Sequence, residues 1–343
     1  RNEEAAMDLY TLWFALIAVL FIGFFILEGF DYGVGILLPV LGKTDDERRV
    51  LINTVGPFWD ANEVWLLTAG GAMFAAFPNW YATMFSGFYV ALVLMLLMLI
   101  LRGVAFEFRS KDAAPRWRRF WDGALVLGSA VPALLWGVAM ANLILGVPID
   151  EGMNFTGTFF SLLSPLALLC GAVSFLGFTL LGAVFLCLRT TDDLVERAHA
   201  VAGRLWLPVV LLVALALLLG FTAAGVAARS GVLPAVTAIV AVAALLASGG
   251  FLRRRSHGWS FAAISLGAAF LLLTLFLSLY PRVMVSSLND AWSLTVYTAS
   301  SSPYTLRVMT IITLTLLPFV LAYQAWSYRV FRKRIGAGSH LEY

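Results

Sequence analysis

The sequence predicts an all-α integral membrane protein with nine transmembrane helices. Three observations carry that expectation. Hydrophobic residues make up 61% of the 343 and charged residues only 13%, against about 45–50% and about 25% in a soluble domain. Apolar runs such as ALVLMLLMLIL (91–101) and LLVALALLL (211–219) do not alternate with period two, so a β-barrel is excluded. Basic residues cluster in every second loop.

The nine predicted helices are Leu9–Leu41, Leu51–Phe77, Trp80–Phe108, Phe120–Leu145, Phe159–Leu188, Leu205–Ala228, Leu233–Leu252, Trp259–Tyr280 and Pro303–Phe331. Each has the roughly 20 residues that a crossing needs. The first is longer and is expected to tilt or protrude. Its length, with no small-residue cleavage site, argues against a removable signal peptide, and Met7 reads as a native start. The tail GAGSHLEY reads as unstructured.

Loop charge sets the expected orientation. Lys43, Arg48 and Arg49 follow helix 1; Arg109, Lys111, Arg116, Arg118 and Arg119 follow helix 3. Arg189, Arg197 and Arg204 follow helix 5, Arg253–Arg255 follow helix 7, and Arg329, Arg332, Lys333 and Arg334 close helix 9. The other side holds only Arg1, Arg229, Arg282 and Arg307. The positive-inside rule then puts the N-terminus outside and the C-terminus in the cytoplasm. The net charge of +3 is a matter of topology, not of nucleic-acid binding. An echo between GKTDDERRV (42–50) and RTTDDLVERA (189–198) fits two similar four-helix units plus a ninth helix.

Ionisable residues inside spans cost about 2.5–3.5 kcal/mol each on insertion scales, so they mark function by default. Here they are Glu28, Asp31, Asp60, Glu63 and Arg102, with Glu107 at a border. Both acid pairs have i,i+3 spacing and share a helix face. Counted from a loop centred near Asp45 and Asp46, Asp31 and Asp60 lie at one depth and Glu28 and Glu63 at a deeper one, about 15 Å and about 20 Å from the loop. Four carboxyl groups against one arginine cannot all ionise in low dielectric. The expectation is a proton path from Glu107 and Arg102 through Asp31 and Asp60 to Glu28 and Glu63. The alternative is that these acids only fix helix packing.

Other residues narrow the chemistry. Pro57 is placed to open the backbone beside Asp60. Glycines in GFDYGVG and TAGGAMFAAF allow close helix approach. His199, His257 and His340 fall in loops or the tail, so no intramembrane imidazole is offered to haem or copper. Cys170 and Cys187 share one predicted helix and read as small core residues, with neither disulfide nor metal spacing.

GFDYGVG, TDDERR, GPFWDANEVWLLTAGGAMFAAFP (56–78) and FSGFYVALVLMLLMLILRGVAFEFR (85–109) together resemble subunit II of the cytochrome bd quinol oxidase family. WGVAMANLILGVP (136–148), YPRVMVSSLNDAWSL (280–294) and ASSSPYTLRVMT (299–310) continue the resemblance along nearly the whole chain. It implies two four-helix bundles, 9–146 and 158–281, plus a peripheral helix at 303–332. It implies a bacterial cytoplasmic-membrane complex that oxidises quinol and reduces O₂ to water. Two haems b and one haem d would sit in a partner subunit I and none in this chain; small accessory subunits and a structural quinone are also allowed. Asp31 and Asp60 match family acids proposed for proton supply, and Trp65 matches a tryptophan associated with oxygen access. Arg102 and Glu107 match a basic and acidic pair. Glu28 and Glu63 stand where other members have Asp and Gln, so the resemblance favours Asp60 over Glu63 as a proton carrier. The competing function is a proton-coupled secondary transporter, which discontinuous helices and a central pocket would favour.

Overall fold

The computed structural model describes residues 2–223, 231–336, 339 and 341. They form eleven helices: α1 (Asn2–Leu41), α2 (Asp45–Val55), α3 (Trp59–Ala76), α4 (Pro78–Gly87), α5 (Tyr89–Phe108), α6 (Pro115–Leu145), α7 (Pro165–Arg189), α8 (Asp192–Ala223), α9 (Leu233–Arg253), α10 (His257–Leu279) and α11 (Pro303–Val330). Residues 224–228 of the sixth predicted helix lie outside the described residues. One short antiparallel pair, β1 (Arg282–Met284) with β2 (Leu294–Thr295), folds the loop before α11. Eight of the helices are long and apolar enough to cross a membrane: α1, α5, α6, α7, α8, α9, α10 and α11.

Two predicted spans are not single helices. Leu51–Phe77 divides into α2 and α3 at Gly56–Phe58. Pro57 has no N–H to continue the ladder, and Phe58 donates its own to Val55 O at 2.8 Å in a tight turn. Trp80–Phe108 divides at Phe88 (φ −96°, ψ 16°), although Phe88 N–H still reaches Met84 O and Leu92 N–H reaches Phe88 O, both at 2.8 Å. Phe159–Leu162 is a single 3₁₀ turn, and α7 begins at Pro165 behind a Ser164 cap. A proline at the first helical position and a serine cap are what a helix start requires.

The arginine-rich loops meet at one end. Asp45 accepts from Arg109 Nη2 at 2.8 Å and from Arg118 Nη1 at 2.5 Å; Asp122 accepts from Arg109 Nε at 2.5 Å and from Arg48 Nη1 at 2.8 Å. Glu47 completes a capping box with Thr44 and pairs with Arg197. Those Arg197 hydrogen bonds hold the Glu47 carboxyl below its ordinary value of 4.5. The described tail is not free of structure. Ile335 N–H donates to Arg189 O at 2.7 Å, and Arg49 Nη2 donates to Leu341 O at 3.1 Å. At the opposite end Ser301 N–H reaches Ala76 O, and Thr83 Oγ1 reaches Met153 O.

Between the ends, α1 is the central strut and packs on α3, α6, α7 and α10. Its closest approach is to α7. A Cβ on Gly33 would stand 2.8 Å from Gly182 Cα, and one on Gly182 would stand 2.6 Å from Gly33 Cα. Only glycine fits at either position. Cys187 is buried and Cys170 partly buried, both as free thiols.

Candidate functional site

Spacing on α1 builds the first wall of the site. Glu28, Asp31 and Tyr32 fall on one helical face, and all three are fully buried. Arg102 reaches them from α5. Its guanidinium carbon lies 5.0 Å from the Tyr32 ring centre and 5.4 Å from the Phe106 ring centre. Gly128 of α6 makes room for it: a Cβ there would come within 2.5 Å of Arg102 Cβ. Arg102 Nη1 donates to Glu28 Oε1 and stands 3.9 Å from Glu63 Oε2. The Glu63 side chain is 20% exposed, against 0% and 1% for its two partners.

Asp31 is held differently. Asn62 Nδ2 donates to Asp31 Oδ2 at 2.7 Å. Asn62 Oδ1 accepts from Tyr328 Oη at 2.7 Å and Gln324 Nε2 at 3.4 Å, both on α11. Trp65 Nε1 donates to Gln324 Oε1 at 3.0 Å. The Tyr328 ring stacks on Phe58 at 4.4 Å and 3°, and Arg189 caps the other side of Phe58 at 5.5 Å. Among the described residues, five buried polar atoms here are left without a well-formed donor–acceptor hydrogen bond: Glu28 Oε2, Asp31 Oδ1, Tyr32 Oη, and Arg102 Nε and Nη2. The Glu28 and Asp31 carboxyls are neighbours of each other, and Tyr32 lies beside the Trp136 side chain. Buried polar groups are otherwise nearly always paired, so this cluster has hydrogen-bonding capacity left over.

The structure brings Glu28, Asp31, Glu63 and Arg102 together, and it does not bring Asp60 or Glu107 with them. Both are exposed, and neither side chain has a hydrogen bond or ion pair among the described residues. The expected level pairing of Asp31 with Asp60 is replaced by Asp31 with Asn62. The cause is the Pro57 break, which restarts α3 and ends the regular hairpin on which the residue count relied. About 100° separates successive helical residues. With Asn62 turned to α1, Asp60 is therefore about 200° away, and Glu63 faces sideways to Arg102. Sequence reasoning missed Asn62, Gln324 and Tyr328. The only signal available on α11 was the i,i+4 spacing of Gln324 and Tyr328, which names no partner by itself.

Two further features bear on cofactors. A cavity of about 220 Å³ lies among α1, α6, α7, α8, α9 and α10, lined by apolar groups such as Phe25, Phe178, Val213 and Leu272. The hydroxyls on its wall already donate to carbonyls, Ser174 to Ala133 O at 2.6 Å and Thr274 to Phe270 O at 2.7 Å. It fits an apolar chain better than a polar headgroup. His199 Nδ1 and His257 Nε2 lie 3.1 Å apart at the arginine-rich end, each occupying a ring nitrogen of the other. Each keeps its second ring nitrogen outside that contact, and His340 lies outside the described residues.

Residues 9–331 match the family model described as cytochrome bd terminal oxidase subunit II. The chain is 47% identical over 335 residues to cytochrome bd ubiquinol oxidase subunit 2 of Bacillus subtilis (strain 168), covering 98% of each. It is 39% identical over 382 residues to cytochrome bd-I ubiquinol oxidase subunit 2 of Escherichia coli (strain K12), covering 97% of this chain and 98% of that one. It is 40% identical over 367 residues to a probable cytochrome oxidase subunit 2 of Haemophilus influenzae, covering 95% of each. Its fold is similar to a chain of the bd oxidase structure from Geobacillus thermodenitrificans, with a TM-score of 0.78 at 18% identity over 94% of this chain and 98% of that one.

Proposed function

The chain belongs to the cytochrome bd terminal oxidase subunit II family, and from that premise we propose how its own residues serve the complex. The complex is a respiratory oxidoreductase, and a haem-bearing subunit I is its expected partner. Two haems b and one haem d, held there, supply electron transfer from quinol and the reduction of O₂ to water. This subunit supplies protons and a route for oxygen. Small accessory subunits are compatible with the exposed faces that remain. The match over residues 9–331 sets the transporter reading aside, despite the discontinuity at Pro57.

One observation carries the proton assignment: one fully buried arginine pairs with Glu28 and Glu63 and is the charge facing Asp31 as well. In low dielectric one positive charge does not balance three negative ones, so protons reside in the cluster. Glu28 is fixed on Arg102, and Asp31 keeps one oxygen with no N–H or O–H donor among the described residues, next to the Glu28 carboxyl. Glu63 is the member with access to the outside, so exchange runs through it. The basic loops at the α2 end support a cytoplasmic face there and an outer N-terminus, in an inner membrane. Protons then enter from the cytoplasm, with Glu107 and Asp60 as exposed acids on either side.

Asp60 has a second meaning. It opens an exposed stripe on α3 that continues through Val64, Leu67, Thr68, Gly71 and Phe74. A carboxylate facing lipid is costly. A Cβ on Gly70 or Gly71 would meet nothing within 4 Å, although glycine inside a helix costs about 1 kcal/mol against alanine. Small residues with no use inside the chain suit close approach by another helix, so this face is assigned to subunit I. Trp65 is retained for oxygen access, its ring wedged over Gly23 beside α11. A structural quinone would lay its isoprenoid chain in the apolar cavity. The two-bundle division, with α11 as the peripheral helix, is proposed on the same family grounds.

The test is Asp31→Asn and Glu63→Gln in the assembled oxidase. Haem content is read from the absorption spectrum, and turnover from quinol-driven O₂ uptake. Parental haem with sharply reduced turnover is expected. Parental haem with parental turnover in both variants removes the proton role.

A further inference from the structure

The helix farthest from the core reaches the acid cluster directly. Apart from Leu306, α11 is exposed or half-buried along its length. Its few inward side chains include two polar ones, Gln324 and Tyr328, and both end on one atom, Asn62 Oδ1. Leucine or phenylalanine would serve better if these positions only filled space. We propose that Tyr328, assisted by Gln324, is a positioning residue that orients Asn62 and thereby decides which oxygen of Asp31 exchanges protons.

The chemistry of an amide gives the reason. Asn62 has one acceptor end and one donor end. With two donors from α11 on its oxygen, its NH₂ must face α1, where it donates to Asp31 Oδ2. Oδ2 is thus kept as an acceptor. Among the described residues no N–H or O–H donates to Asp31 Oδ1, so it is the oxygen left to take up and release a proton, with the Glu28 carboxyl as the neighbour able to share it. Without the Tyr328 hydroxyl the amide can turn over and present its oxygen to Asp31, which exchanges the roles of the two carboxyl oxygens. The Phe58 ring fixes Tyr328 in place, with the two rings 4.4 Å apart and nearly parallel. The aromatic stack and the hydroxyl therefore do separate jobs and can be separated by mutation.

This inference rests on the reading of Asp31 as a proton carrier. Tyr328→Phe keeps the stack and removes only the hydroxyl. In the assembled oxidase, haem content is expected to stay parental. The carboxyl infrared band of Asp31, identified by its disappearance in Asp31→Asn, is expected to shift. Turnover is expected to fall about three- to tenfold, the scale of one buried hydrogen bond, with the quinol KM unchanged. Asn62→Leu, close in shape, is expected to shift the same band. A parental band and parental turnover in Tyr328→Phe overturn the proposal. Loss of haem in Tyr328→Phe overturns it too, because the hydroxyl then serves assembly, and so does a parental band in Asn62→Leu. An unimpaired Asp31→Asn complex would instead defeat the underlying proton assignment. Impaired Asp31→Asn beside parental Tyr328→Phe defeats the positioning role alone.

Discussion

Glu63 Oε2 stands 3.9 Å from Arg102 Nη1, while Asp60, one turn earlier on α3, faces out of the molecule. One helical turn thus separates an acid that shares a buried charge from an acid that meets whatever covers α3. The two acids are three residues apart, but their surroundings assign them different work.

Glu63→Gln and Asp60→Asn should therefore fail differently. Glu63→Gln leaves the partner face intact, so the complex assembles with full haem and turnover drops by about tenfold or more, as when a proton-transfer group is lost. Asp60→Asn changes a group on the proposed interface, so haem retention and subunit co-purification respond along with turnover. Absorption spectra and O₂ uptake on the purified complexes separate the two patterns. Full haem, full co-purification and full turnover in Asp60→Asn would leave that residue with neither an interface role nor a proton role.

Arg102 is the charge on which the cluster depends. Arg102→Met leaves Glu28 buried without its donor, at a cost of about 3–5 kcal/mol. The variant should accumulate poorly and lose haem-bearing complex. Adding Glu28→Gln removes the orphaned charge and should recover part of the yield. Quantifying assembled complex from membranes for the single and double variants checks this. Equal losses in both would show that Arg102 acts through packing on Tyr32 and Phe106 rather than through charge.

Much of this was legible in the sequence for a physical reason: lipid forces long apolar helices, and a charge inside one stands out. Glu28, Asp31, Glu63 and Arg102 were all found that way. What was not legible depended on one residue. Pro57 was recognised as a place where the backbone opens, but the rotation it permits between α2 and α3 is set by packing against α1 and α11, which no local spacing records. The depth count therefore placed Asp60 where Asn62 stands. Asn62, Gln324 and Tyr328 are uncharged, and a neutral polar residue in a span is too common to point anywhere until its partner, more than 250 residues away for the α11 pair, is known.

Glu47 makes stability at the arginine-rich end depend on acid. Hydrogen bonds from Arg197 hold its carboxyl below 4.5, so it binds its proton less readily in the folded chain than in the unfolded one. The resulting stability is fully present above about pH 4.5 and is lost as pH falls through the lower folded value. Glu47→Gln keeps the reach of a capping residue but does not titrate. The parent should exceed it by about 1 kcal/mol or less at pH 6, and the gap should close on acidification. Thermal unfolding in detergent at a series of pH values measures it; a gap that does not change with pH would assign the effect to hydrogen bonding alone.

The glycines give a paired prediction, because two sets sit in opposite surroundings. Gly33 and Gly182 face each other across α1 and α7 with no room for a Cβ. Gly33→Ala must push the helices apart at their closest contact and lose packing along both, so the chain itself should be unstable and scarce in membranes. Gly71 has open space around it, and Gly71→Ala should leave the isolated chain as stable or slightly more so, since alanine is the better helix former by about 1 kcal/mol. Gly71→Leu raises a side chain on the face assigned to subunit I. The chain should still insert and accumulate, yet fail to co-purify with haem-bearing partner. Membrane abundance by immunoblot reads the first property, and haem recovered per tagged chain reads the second. If Gly71→Leu retains parental haem, the partner does not cover the Asp60 face of α3, and the exposed carboxylate needs another neighbour.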